Sequence, residues 1–201
     1  MPIPSLRVPL GTRLPWFAVT DLDGRQWDTS KLSEGRPVLA AFLCNHSPYV
    51  QHIERDLGAR LSSLSETKIT ILAVSPNDVL AYPTDGLEMM KAQASRAGFN
   101  FPYCIDKGQQ AAKAFGASCT PEFFLYDLDW RLVYHGQYDD SRPGNDIPVS
   151  GVDLLTAIEA ACTDDVVPAE QQASFGCSIK WRAGNEPGYA FTTQGSVLTF
   201  S

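Results

Sequence analysis

The residues best suited to chemistry in this chain stand together in Leu43-Cys44-Asn45-His46-Ser47-Pro48-Tyr49. An apolar run, Val38 to Leu43, leads into this stretch, and an amphipathic segment starts at Pro48. Cys44 is therefore expected where a buried strand hands over to a helix. Unpaired amides and the positive end of a helix dipole favour thiolate there, which can draw a thiol from roughly 8.5 into the range of about 3.5 to 7.5. Burial in apolar surroundings acts in the opposite sense, and a structural thiol is the competing reading. His46 has the chemistry of a proton carrier near neutral pH. Ser47 offers no sulfur and suits a helix N-cap ahead of Pro48 at the first helical position. Cys44 and His46 supply only two metal ligands, so no metal and no cofactor is expected.

The elements that must position Cys44 follow from the apolar pattern. Phe17 to Trp27, turning at Asp23-Gly24, reads as a hairpin, and Pro37 to Leu43 as a central strand buried on both faces. Val50, Ile53, Leu57 and Leu61 recur at helical spacing after Pro48, and Ile69 to Val74 forms the next, parallel strand. A helix from Leu87 ends at Gly98, Phe101 to Ile105 is extended, and Asp106 can cap a helix running to Phe115. Phe123 to Tyr126 and Leu132 to Tyr134 form an antiparallel pair. Ser150 with Asp153 has the form of a capping box for a helix carrying Leu155, Ile158 and Cys162. The boundaries expected are one domain over residues 1–163 and an extension over 164–201 packed on it.

Composition limits the function classes. With 201 residues, 44% hydrophobic, the chain can build one sizeable core. Sixteen Lys and Arg against 23 Asp and Glu give a net charge of -7, which disfavours nucleic acid or an anionic membrane as the main partner. Acidic clusters such as Asp139-Asp140 read as solvated surface. The proline-bearing start lacks the apolar core of a secretory signal, and no run approaches the roughly 18 apolar residues of a membrane span. Five widely spaced cysteines do not form a secreted disulfide framework, and a cytoplasmic location is expected. Cys104 and Cys162 read as small core residues.

The order of elements, with a cysteine after the first central strand and Thr120-Pro121 before the final hairpin, resembles the thioredoxin fold. That fold is an α/β three-layer architecture with a central mixed sheet flanked by helices, here with an N-terminal β-hairpin and a C-terminal tail. The opening hairpin and Pro37 strand resemble the branch containing alkyl hydroperoxide reductase and thiol-specific antioxidant proteins. The segments Cys44 to Tyr49, Cys119-Thr120-Pro121-Glu122-Phe123-Phe124, Asp139 to Asn145 and Gly176-Cys177-Ser178-Ile179-Lys180-Trp181 are similar to those of bacterial thioredoxin-like, peroxiredoxin-related proteins. Ser47 stands where that group usually has cysteine. Ala41 stands where peroxiredoxins carry a threonine whose hydroxyl helps hold peroxide.

The resemblance implies a thiol-dependent oxidoreductase with Cys44 as the reactive thiol and Asn45, His46, Ser47, Thr120 and Pro121 as the active-site loops, Pro121 being cis. Its substrate would be a protein or small-molecule thiol, disulfide or peroxide. With Ser47 unable to resolve a mixed disulfide, the second sulfur would be Cys119, two residues before the cis-proline, Cys177 in the tail, or an external thiol. Arg142 is expected to pair with Asp139 or Asp140. The rival reading is a non-catalytic binding module that keeps the cleft and has lost turnover.

Overall fold

A computed structural model describes residues 2–64, 68–191 and 197–198. Its main sheet has seven strands: β2 (Ala18–Asp21), β3 (Gln26–Asp28), β4 (Val38–Phe42), β5 (Thr70–Ser75), β6 (Tyr103–Ile105), β8 (Glu122–Tyr126) and β9 (Leu132–Gly136), in the spatial order β3-β2-β6-β5-β4-β8-β9. Strands β4, β5 and β6 are parallel, while β2 and β8 join them antiparallel. Every residue of β4 is buried, as its unbroken apolar run requires of a strand covered on both faces.

Helices α1 (Pro48–Ser62), α2 (Leu87–Ala97), α3 (Gln110–Phe115) and α4 (Val152–Thr163) complete the layers. Val50, Ile53, Leu57 and Leu61 of α1 share one core cluster with Leu39 and Ala41 of β4 and with Leu154 and Ile158 of α4. Phe115 of α3 joins Phe42 and Phe124 in the cluster on the other face. Gly98 closes α2 in the left-handed conformation at φ 69°, where a side chain would be strained. Asp106 caps α3 from a distance, accepting from the amides of Gln110 at 3.0 Å and Ala112 at 2.9 Å.

A smaller three-stranded sheet brings residues 2–4 and 119–120 to either side of residues 175–178. Strand β10 (Phe175–Ser178) lies between β1 (Pro2–Pro4) and β7 (Cys119–Thr120), antiparallel to both.

Several local expectations are corrected. The Ser150/Asp153 capping box does not form. Asp139 accepts from the amides of Ser150 and Gly151, both at 2.6 Å, and Asp153 accepts from Gln137 instead. Asp139 is consequently not solvated surface but 2% exposed. Arg142 donates to the backbone oxygens of Asp139 and Ser141 and to the Gln137 side chain rather than to a carboxylate. The buried stripe of α4 runs through Leu154, Ala157, Ile158 and Ala161, leaving Cys162 partly exposed at its margin.

Candidate active site at Cys44

Cys44 follows β4 and precedes the first turn of α1, with its Sγ 3.1 Å from Thr120 Oγ1. The Thr120–Pro121 peptide is cis. Ser47 occupies the N-cap position with extended backbone, φ −70° and ψ 121°, but makes no side-chain cap bond. Its Oγ donates to the Thr120 carbonyl at 3.2 Å, so the expected cap is replaced by a tie between the two loops. Cys44, His46, Ser47, Thr120 and Pro121 are thus gathered at one end of the sheet.

Asn45 is fixed through all of its polar atoms. Its amide donates to Asp85, its side-chain nitrogen to Thr84 O, its Oδ1 accepts from Arg96 Nη2 at 2.6 Å, and its carbonyl accepts from Gln51. Arg96 is held in turn by Glu54 of α1 at 2.6 Å.

Asp85, fully buried in a short 3-10 turn (Pro83–Asp85), organises the loop from beneath. Its Oδ1 accepts from the amides of Asn45 at 2.9 Å and His46 at 3.0 Å, and its Oδ2 from Asn77 Nδ2 at 2.9 Å and His46 Nδ1 at 2.5 Å. His46 also stacks on Tyr82, centroids 5.5 Å apart. The sequence around Asp85 does not signal this role, because the loop it holds, Asn45 and His46, lies 40 and 39 residues away.

Glu122 and His135 form a second buried polar group on the far side of the cis-proline loop. Glu122 Oε1 accepts from His135 Nε2 at 2.8 Å, and the Val8 amide donates to His135 Nδ1, which identifies Nε2 as the protonated nitrogen. Glu122 Oε2 accepts from the amides of Ser118 and Cys119. A lone acid directly ahead of the apolar run Phe123 to Tyr126 was the available signal for this site.

The electrostatic expectation for Cys44 is reversed. Complete burial, with the Asp85 carboxylate second, pushes its thiol up to about 12; the Thr120 hydroxyl and the Ser47 amide act the other way and lose. Burial likewise raises Cys104 and Cys119. These thiols stay protonated in the folded protein well above the pH at which they ionise in the unfolded chain. Stability is therefore full below about pH 8.5 and falls above it, by about 1.4 kcal/mol per pH unit for each such group until its folded value is reached. Urea midpoints measured from pH 8 to 11 should decline progressively, with a shallower decline in Cys104→Ala.

Cys119 does not face Cys44. Side chains alternate along a strand, so while Thr120 points at Cys44 its neighbour turns to the other side, where Glu122 raises its thiol. Ligand atoms of Cys44, His46 and Asp85 lie within 4.8 Å of one another. Asp85 already accepts four hydrogen bonds, and Cys44 would have to lose its proton to bind a metal. The arrangement fits a thiol beside a proton-accepting pair better than a metal centre.

A mixed sheet flanked by helices, with a cysteine just ahead of α1 facing a cis-proline loop, defines a thioredoxin-like protein. Residues 10–135 match the AhpC/TSA family, and the chain belongs to it. It is 40% identical to a hypothetical protein of Sinorhizobium meliloti 1021 whose crystal structure superposes with a TM-score of 0.87, covering 90% of this chain and 100% of that one. An uncharacterized conserved protein from Geobacillus kaustophilus is 38% identical with a TM-score of 0.86, covering 90% and 97%. The thiol-disulfide oxidoreductase ResA of Bacillus thuringiensis (strain Al Hakam) is 27% identical over 130 residues, 63% of this chain and 69% of that protein. Among the described residues no helix is long and apolar enough to cross a membrane.

Proposed function

We propose that the protein is a thiol-disulfide oxidoreductase in which Cys44 is the redox-active thiol. The observation that carries this reading is the contact between Cys44 Sγ and Thr120 Oγ1, which places the thiol against the cis-proline loop at the start of α1. The similarity to ResA, a thiol-disulfide oxidoreductase, supports it. Disulfide exchange is preferred to peroxide reduction because Ala41 supplies no hydroxyl to hold a peroxide.

The resting thiol is protonated, and exchange requires that it lose the proton before it meets a sulfur. His46, whose Nδ1 donates to Asp85, takes that proton at Nε2, and the Asp85 carboxylate stabilises the imidazolium that results. Equilibration of the reduced protein with oxidised glutathione, followed by acid quenching and peptide mass spectrometry, should show Cys44 oxidised. Replacement by serine should abolish repeated turnover of a small disulfide, a loss of at least about 1,000-fold in steady-state rate, because the redox-active thiol is gone. A Cys44 that stays reduced under these conditions would overturn the proposal.

A second reading has an observation of its own. The fully buried, raised Cys44 suits a binding module without turnover. It predicts that Cys44→Ser binds partners as the native protein does and that insulin reduction is not catalysed.

A further inference from the structure

We propose that Cys177 is the second redox sulfur of this protein, presented to Cys44 by strand β10 as a built-in substrate beside the cis-proline loop. The inference rests on the reading of Cys44 as a redox thiol and adds its partner.

Register carries the assignment. Cys177 is the direct cross-strand partner of Thr120, and Ser178 that of Cys119. Directly opposed residues of an antiparallel pair project to the same face. Thr120 projects to Cys44, so Cys177 does also, whereas Cys119 projects to the other side. A second contact fixes the same face independently. Phe175, two residues before Cys177 and hence on its side of β10, packs edge-on against Tyr49 in the first turn of α1, centroids 5.5 Å apart. Cys177 also lies close enough to be among the groups that raise the Cys44 thiol, as it is among those that raise Cys119, and it is the register that turns it toward Cys44.

The same strand decides the class of external substrate. An extended polypeptide would dock by adding a strand to the free edge at Cys119–Thr120. Here β10 occupies that edge and is itself backed by β1. The disulfide that reaches the site is therefore of low molecular weight. Cys44 is fully buried and Cys177 only partly so, which sets the order of attack.

Cys177 loses its proton to solvent and attacks one sulfur of the external disulfide, whose S–S bond breaks to release one thiolate. Cys44, its proton passing to the His46–Asp85 pair, then attacks the Cys177 sulfur. The second external thiolate leaves and a Cys44–Cys177 bond remains. Two protein thiols have given up two electrons and two protons, and the external disulfide has become two thiols.

The test is to treat fully reduced protein with oxidised glutathione, quench in acid and map peptides without reduction. The expected product is a Cys44–Cys177 linked peptide in the native chain and equally in Cys119→Ser. Cys44→Ser should accumulate glutathione on Cys177. Cys177→Ser and Cys177→Ala, checked for folding by circular dichroism, should form no internal disulfide and take up glutathione at Cys44 at least tenfold more slowly than the native pair forms. A Cys44–Cys119 link, or glutathione held on Cys44 with Cys177 free in the native chain, would overturn this inference and leave the redox role of Cys44 standing. No oxidation of Cys44 in any variant would overturn both.

Discussion

Replacing Asp85 by alanine is expected to cost about 3–5 kcal/mol of folding stability, the range for removing one partner of a buried charged hydrogen-bonding group. Four donors lose their acceptor together: the amides of Asn45 and His46, the Asn77 side chain and His46 Nδ1. Each buried unsatisfied donor costs about 1–3 kcal/mol, and the partly exposed His46 ring recovers some of this from water. A second effect has the opposite benefit. Asp85 is the second cause of the raised Cys44 thiol, so its removal should lower that thiol from about 12 while burial, the first cause, keeps it above an ordinary cysteine. Asp85→Asn should fall between, because its amide can accept from the two backbone donors but presents N–H to Asn77. Urea unfolding and a pH titration of Cys44 alkylation read both quantities, and an unchanged midpoint in Asp85→Ala would contradict the role given to this carboxylate.

What was legible in the sequence was local. The unbroken run Val38 to Phe42 and the stripe from Val50 to Leu61 carry their own periodicity, and the strand, the helix and the thiol between them follow. Asp85, Glu122 and Asp139 carry none, because each acts in part on backbone or side chains brought to it by the fold, over separations of up to 40 residues for Asp85. The Cys44 thiol is the instructive case. Its strand-to-helix position contains two effects of opposite sign, dipole and desolvation, and the sequence does not weigh them. The outcome depends on how completely the site is covered, and part of the cover is a strand more than 130 residues further along the chain.

That cover can be removed by one substitution, and Gly176→Val is expected to raise the alkylation rate of Cys44 at pH 7.5 by about 1,000-fold. A Cβ at position 176 would stand 2.2 Å from Thr120 O, 2.6 Å from Thr120 C and 3.0 Å from Pro121 Cδ. The first two obstacles are backbone, so no rotamer change relieves the clash. Strand β10 must leave Thr120, and the Cys177–Thr120 pairing is lost with it. Water then reaches Cys44, whose thiol should relax from about 12 toward the roughly 8.5 of a free cysteine, and the thiolate fraction at neutral pH grows by about three orders of magnitude. Iodoacetamide labelling with peptide mass spectrometry separates this from simple exposure of the tail, since Cys177 should label readily in both proteins and Cys44 only in the variant. Slow labelling of Cys44 in Gly176→Val would mean that the loop and Asp85, rather than β10, keep this thiol protonated. The formation of the Cys44–Cys177 disulfide should fall in the same variant in which Cys44 becomes most reactive, because the strand that shields the thiol is also the strand that delivers its partner.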